Sequence, residues 1–490
     1  MAPPVSESGN MAQKPQTLPE AFLKLTCTLF SVLPSDAPNI TILKNALETA
    51  TDEDRLYYAE AYGEQVLKLT DIEDAVYFRK CVLRKETAAF IRYQKQRDHS
   101  VHTLHNYLLG WYFFSNSSLL RDQLQVAMVA RKTTAETLTQ LTNRFAELWC
   151  YASLLHDVGY LFEGTTSPED DLDLMDEMVR NGRDYCLDYF NDVFWRQLGF
   201  RDADSRKAAQ TLLHNKVEPG EGSGGPATIV YFLRNLGPWE ILAHDLKEGD
   251  QISRKTPDTL SSDAFKLWRL HYEQFGPPQM VRRFELLEDV LYKLFENGIP
   301  DKQIPRHLDH GICGALMLLK YSTWWFRAFL TAKYSKTPAD YIESEVLRLI
   351  RGGTIHKYHA GHWWTSILWA TAAVAIHNLQ QLPDYYSKGT HVKLSLSEDP
   401  LAYLGILVDI LQEWDRHSVR RLPSVTSDKR CINSRDVNIG KMPDGKIHIE
   451  YGWRDETDQN REANMKKDLE KALAGWDQLV SISFKKVNHP

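Results

Sequence analysis

A single aspartate stands inside an otherwise apolar helical run near the C-terminal end of the 490-residue chain. Asp409 is flanked on both sides by large apolar side chains, namely Ile406, Leu407, Val408, Ile410 and Leu411. A helix that is apolar on every side is buried when it packs. A carboxylate buried with it is costly unless a partner compensates its charge. Any fold of this chain must therefore supply a partner for Asp409.

A second acidic group stands at the end of another apolar helix. Residues 133–158 open with threonines typical of helix caps and then carry apolar side chains at spacings of three and four, which predicts a buried helical stripe. His156 and Asp157 follow at its end, about 100° apart around the axis, so both can approach one ion. Imidazole offers a borderline nitrogen and carboxylate a hard oxygen. The alternative is a capping or salt-bridged aspartate beside a core histidine.

Further histidines stand on other predicted helices. His99, His102 and His105 recur at every third residue and form a strip along one helix. His310 precedes an apolar helix, and His377 comes near the end of another. Three histidines on one helix face are uncommon in a plain core. The set therefore favours histidines that bind one common ion.

The order of these residues resembles the HD-domain superfamily of metal-dependent phosphohydrolases. A histidine is followed by a His–Asp pair, two more histidines and a final aspartate. The stretches LLHDVGY, DHGICGA, AIHN and PLAYLGILVDILQEWDR look like segments of large HD-domain proteins, and the resemblance covers roughly residues 90 to 420. It implies a metal-dependent phosphohydrolase or phosphodiesterase that acts on a nucleotide or another small phosphate ester.

The resemblance also implies a ligand set for one or two divalent cations of Mn, Fe, Mg, Co, Ni or Zn. One histidine of the strip would bind metal together with the His–Asp pair and the final aspartate, and two further histidines would complete a second position. Within the strip we favour His102, followed by His99, whose Asp-His-Ser context resembles the family pattern. The full set of candidate ligands is His99, His102, His156, Asp157, His310, His377 and Asp409.

Catalytic and substrate-binding candidates lie close to these motifs. Asp157 would act at the reacting centre, Tyr160 stands where many family members carry a lysine or histidine, and Glu163 is a possible general acid. Basic side chains near the motifs could contact phosphate, and solvated surface charge is the alternative for the arginines. The candidates are Arg97, His105, Arg306, His359, His362 and Arg416.

Charge and hydropathy exclude several classes of protein. The chain has 58 Lys and Arg against 65 Asp and Glu, a net charge of −7, which disfavours general nucleic-acid binding. The uncharged run at 363–376 is too short to cross a bilayer and predicts a buried helix. The N-terminus lacks a secretory signal pattern, and the six cysteines form no Cys-x-x-Cys pair. We therefore expect free thiols and a cytoplasmic protein without a membrane partner.

The predicted fold class is mainly all-α, an HD-domain helical bundle with a helical insertion and a small α+β C-terminal module. Residues 1–18 are expected to be a disordered tail, 19–422 the helical domain with an insertion at about 165–300, and 423–490 the module. Within the module, alternating apolar residues predict strands at 447–451 and 480–484, and residues 460–479 are expected to form an amphipathic helix. Two other functions stay open. One is a di-iron oxygenase that uses the same ligands, and the other is a non-catalytic nucleotide-sensing or regulatory protein.

Overall fold

The computed structural model of the chain is mainly helical, with a small sheet formed largely near the C-terminus, as the sequence predicted. The residues that the structure describes are 15–30, 39–49, 52–69, 76, 79–80, 82–83, 99–131, 133, 135–161, 257–297, 309–312, 314–316, 318–319, 322, 366–378, 393–415, 432–453 and 459–487.

The described helices and strands are numbered here in chain order. The helices are α1 Leu18–Phe30, α2 Ile40–Glu48, α3 Asp52–Leu69, α4 His99–Asn116, α5 Ser118–Ala130, α6 Leu138–Trp149, α7 Pro257–Phe275, α8 Pro278–Asn297, α9 Leu368–Ile376, α10 Pro400–Leu411 and α11 Gln459–Ala472. The strands are β1 Gln16–Thr17, β2 Leu394–Ser395, β3 Val437–Lys441, β4 Ile447–Trp453, β5 Leu473–Ala474 and β6 Val480–Lys486.

The chain divides into two compact units. The first comprises residues 1–157 and 377–490, and the second comprises residues 158–376. The insertion expected at about 165–300 falls within the second unit, which extends further at both ends. The C-terminal residues belong to the first unit. The boundary expected at 422 stays a prediction.

Helix α4 is the central helix of the first unit. Every residue from His99 to Phe114 is buried, and α1, α3 and α10 all pack against it. The Trp149 ring packs directly against the backbone of Gly110, because an added Cβ there would lie only 2.1 Å from a ring carbon. The indole of Trp149 donates a hydrogen bond to the Tyr107 carbonyl at 2.9 Å. This packing places the histidine strip in the interior of the unit.

The segment that carries His156 and Asp157 is not the single helix that the pattern predicted over 133–158. Thr137 and Gln140 form a capping box at the start of α6, which ends at Trp149. One π turn follows at Cys150–Leu154, and a 3₁₀ helix then begins at His156. Leu155, with φ −117° and ψ 5°, leaves the helical conformation between them. Such π turns frequently occur at functional sites.

The first unit contains a four-stranded sheet with the strand order β1-β3-β4-β6, and β2 and β5 form a separate parallel pair. Strands β3 and β4 form an antiparallel hairpin whose turn contains Gly445 at φ +89°, where glycine meets no steric penalty. Strand β6 is parallel to β4, and α11 lies in the connection between them. The strands expected at 447–451 and 480–484 are confirmed. The helix expected over 460–479 ends at Ala472.

N-terminal residues complete this sheet. Gln16 and Thr17 pair with Ile439 and Asn438 of β3, and Leu18 is fully buried. Residues 15–18 of the segment expected to be a tail are therefore part of the described structure. Residues 1–14 lie outside the described part of the chain.

The second unit contains α7, α8 and α9. Trp268 of α7 packs on Phe284 of α8 with ring centroids 5.5 Å apart and donates a hydrogen bond to Thr371 of α9 at 3.1 Å. All nine residues of α9 are buried, as expected for the uncharged run at 363–376.

Within the described residues, no helix has both the length and the apolar character needed to cross a membrane. Cys27 and Cys150, the cysteines whose side chains are described, form no disulfide.

Candidate metal centre

Five of the seven predicted metal ligands lie together in the first unit. His102 is on α4, His156 and Asp157 begin the 3₁₀ helix, His377 directly follows α9, and Asp409 is on α10. All five are buried. Their ligand atoms form two groups that can each hold a metal ion, with all atoms of a group within 4.8 Å of one another. The groups are His102, His156 and Asp409, and His156, Asp157 and His377. These five residues are called the ligand cluster below.

In the ligand cluster, the Nε2 atom of each histidine lies near a carboxylate oxygen. His102 Nε2 is 2.8 Å from Asp409 Oδ1 and 3.7 Å from Asp157 Oδ2. His156 Nε2 is 3.3 Å from Asp157 Oδ1 and 3.9 Å from Asp409 Oδ1. His377 Nε2 is 3.8 Å from Asp157 Oδ1. Asp157 thus faces His102 with one oxygen and His156 and His377 with the other, an arrangement in which one carboxylate can bridge two cations.

The His156 ring is held with its lone pair towards the carboxylates. Nδ1 lies 2.5 Å from the Ser153 carbonyl oxygen, which can only accept, so Nδ1 carries the proton. Nε2 is buried and makes no hydrogen bond in the described part of the protein. Burial lowers the pKa of His156, and this outweighs the opposite effect of the Asp157 charge. A neutral imidazole that turns a lone pair towards two carboxylates is stabilised by a cation between them.

The His102 ring is oriented in the same way by a side chain. Its Nδ1 hydrogen-bonds Gln412 Oε1, and Gln412 Nε2 donates to the Trp414 carbonyl, which fixes the direction of the amide. The proton of His102 Nδ1 therefore points to Gln412, and Nε2 faces Asp409. Metal-binding histidines are typically held by such a hydrogen bond from the nitrogen that does not bind the metal. The donor atoms and their orientation fit a divalent cation.

Sequence reasoning missed three polar residues around the ligand cluster. Gln412 and Asn106 are buried next to His102, and buried Arg79 donates to the Leu154 carbonyl at 3.0 Å. Gln412 follows Asp409 by three residues and Asn106 follows His102 by four, so helical spacing could have identified both. No local signal connects Arg79 to this site.

The other two histidines of the strip lie outside the ligand cluster. His99 is buried at the first residue of α4. His105 packs its ring against Phe22 and Trp414, with centroids 6.5 and 5.9 Å away. Burial and the nearby Arg55 guanidinium lower the pKa of His105 to about 3. This placement is that of a neutral core histidine and does not support the expected phosphate contact.

His310 and Tyr160 belong to the second unit. Their rings stack with centroids 4.0 Å apart and planes inclined by 15°. The backbones of Gly159 and His310 lie close together, and an added Cβ at Gly159 would be 1.7 Å from the His310 carbonyl oxygen. The roles predicted for His310 as a ligand and for Tyr160 in catalysis stay predictions. The remaining candidates lie outside the described residues, namely Arg97, Glu163, Arg306, His359, His362 and Arg416.

No protein-family model, curated protein or solved structure matches this chain. The resemblance to the HD-domain superfamily therefore depends on the quoted sequence motifs alone. The geometry of the ligand cluster is a separate observation.

Proposed function

We propose that the ligand cluster binds one or two divalent cations and that the protein is a metal-dependent phosphohydrolase or phosphodiesterase. Its substrate would be a nucleotide or another small phosphate ester. The main support is His156 Nε2, a buried atom without a hydrogen bond among the described residues that faces two carboxylates from a neutral ring. A cation accounts for this arrangement, and the order of the ligands along the chain suggests the reaction class.

The residues would divide between two positions. His102, His156 and Asp409 would hold one cation, His377 would contribute to the other, and Asp157 would face both. A divalent cation in such a site lowers the pKa of a water towards neutrality and offsets charge on a phosphoryl group.

The chain's own groups prepare the site for that chemistry. The two carboxylates offset the charge of a bound cation in a region that water does not reach well. The Ser153 carbonyl and the Gln412 amide keep the Nδ1 protons in place, so both rings present Nε2 inwards. The site is thus oriented before a cation or substrate binds, which reduces the cost of binding either one.

The test is hydrolysis of bis(p-nitrophenyl) phosphate and a panel of nucleotides by the full chain with Mn²⁺, Mg²⁺, Fe²⁺, Co²⁺, Ni²⁺ or Zn²⁺. Asp409→Asn and His156→Gln should abolish turnover. His448→Gln is a matched control, because that half-buried histidine hydrogen-bonds Ser481 and Ser483 in the sheet. It should hydrolyse at the wild-type rate. A wild-type chain that binds metal yet turns over none of these substrates would contradict the proposal. Two bound irons with oxygen consumption would favour the oxygenase instead.

A further inference from the structure

Asn106 is a buried amide directed towards the ligand cluster. It lies one turn after His102 on α4 and is 1 % exposed. Its Nδ2 is 3.1 Å from His102 Nε2. Its Oδ1 has no hydrogen-bond partner among the described residues, although a buried amide oxygen ordinarily has one.

The surroundings of His102 Nε2 determine which amide atom can face it. The only proton of a neutral His102 ring is on Nδ1, so Nε2 has one lone pair. Nε2 is 2.8 Å from Asp409 Oδ1, a distance that requires a proton or a cation between the two atoms. With either one bound, Nε2 cannot also accept a hydrogen bond from the Asn106 amide.

A half turn of the Asn106 amide resolves this conflict. The rotation exchanges Oδ1 and Nδ2 and keeps the side chain in the same volume. It directs the unpartnered oxygen towards the cation position that His102 and Asp409 share. Amide carbonyl oxygens are ordinary ligands of hard divalent cations.

The spacing agrees with coordination at one ion. Neighbouring ligands of an octahedral cation with bonds of about 2.1 Å are about 3 Å apart. His102 Nε2 is 2.8 Å from Asp409 Oδ1 and 3.1 Å from the Asn106 amide. We infer that Asn106 Oδ1 is an additional metal ligand beside His102, an inference that rests on the proposed cation site.

The extra oxygen has a consequence for metal choice. With Asn106, the donors around the His102 position are two imidazole nitrogens and oxygens from Asn106, Asp157 and Asp409. More than four protein donors rich in oxygen favour an octahedral cation such as Mn²⁺ over tetrahedral Zn²⁺. Loss of Asn106 should therefore weaken Mn²⁺ binding more than Zn²⁺ binding.

The test measures metal affinity and spectra rather than turnover. Metal-stripped full-length protein is titrated with Mn²⁺ and Zn²⁺ by calorimetry and with Co²⁺ by visible absorption. We expect Asn106→Ala to weaken Mn²⁺ by about tenfold or more and to intensify the Co²⁺ bands as the coordination number falls. Asn106→Asp, which supplies a charged oxygen at the same place, should bind Mn²⁺ at least as tightly as the wild type.

Asn116→Ala provides the matched control. This residue ends the same helix and donates to the Tyr112 carbonyl, so the same truncation there should leave both metals unaffected. Equal Mn²⁺ affinity and identical Co²⁺ spectra of the wild type and Asn106→Ala would overturn the inference. If Asn106→Ala does not fold, weaker Mn²⁺ binding by Asn106→Asp would overturn it. A wild type that binds no cation would overturn the inference together with the cation site. Metal binding without phosphoester hydrolysis would contradict only the proposed reaction.

Discussion

Replacement of Arg79 should reduce both the stability of the protein and its metal affinity. The Arg79 side chain is 3 % exposed and forms an ion pair with Glu60 of α3 at 2.9 Å. It also donates to Thr103 Oγ1 at 2.9 Å and to the carbonyls of Leu154 and Ser100 at 3.0 and 3.4 Å. One guanidinium thus joins α3, α4 and the end of the π turn, two residues before His156.

The loss of stability can be estimated from the buried groups that lose Arg79 as their partner. Arg79→Met leaves the Glu60 carboxylate, itself only 13 % exposed, without this partner. Removal of one member of a buried ion pair costs about 3–5 kcal/mol. The hydrogen bonds to the two carbonyls are lost as well, and these costs overlap because the groups share one partner. We expect Arg79→Met to lower the free energy of unfolding by about 4 kcal/mol. A double variant with Glu60→Met should recover part of that loss.

Urea denaturation followed by circular dichroism gives the stability change, and Mn²⁺ calorimetry gives the metal affinity. Arg79→Lys keeps the positive charge near Glu60 but lacks the planar guanidinium, whose several N–H groups bond α3, α4 and the π turn together. It should therefore fold, and it should bind Mn²⁺ about tenfold more weakly because the Leu154 carbonyl is no longer held. An unchanged urea midpoint for Arg79→Met would refute the structural reasoning. Wild-type Mn²⁺ affinity in Arg79→Lys would refute the link to the ligand cluster.

Four further outcomes are expected. Mn²⁺ at about a thousand times its Kd should raise the free energy of unfolding by about 4 kcal/mol in calorimetry, and Asp409→Asn should remove this gain. Gln412→Ala should weaken Mn²⁺ binding about 10–100-fold by calorimetric titration, because it releases the His102 ring. The pKa of His105 is about 3 in the folded protein, against an ordinary histidine value of 6.5, so only the unfolded chain takes up this proton between those values. Stability measured by urea should therefore fall by about 1.4 kcal/mol per pH unit as the pH drops through that window, and His105→Phe should flatten the slope. Gly159→Ala should destabilise the second unit by about 1–3 kcal/mol or more in thermal unfolding, since its Cβ would overlap a carbonyl oxygen; an unchanged melting temperature would contradict this.

The sequence predicted the ligand cluster well because burial makes polar residues conspicuous. Asp409 within an apolar helix and the His156–Asp157 pair at the end of another could be identified from hydropathy and spacing alone. Helical periodicity also predicted the helical class, and the uncharged run at 363–376 predicted the buried α9. Local patterns of this kind depend on neighbours a few residues apart, which a sequence displays directly.

Other features depend on partners far apart in the chain. The pairing of Gln16 and Thr17 with β3, and the reach of Arg79 to Leu154, join segments that no local pattern connects. The π turn at Cys150–Leu154 is of a rare type, and the apolar periodicity of the segment gives no sign of it. His105 continues the spacing of His102 and yet packs among aromatic rings, because the neighbours of a helix differ along its length.

An anomalous-difference map at the manganese absorption edge, from crystals grown with Mn²⁺, tests the cation site most directly. We expect a peak bonded to His156 Nε2 and the Asp409 carboxylate, with Asp157 close enough to bridge to a second peak near His377. Crystals of Asp409→Asn should lack the first peak. An ordered ligand cluster with no anomalous peak, its histidines and carboxylates hydrogen-bonded only to one another or to water, would contradict the site.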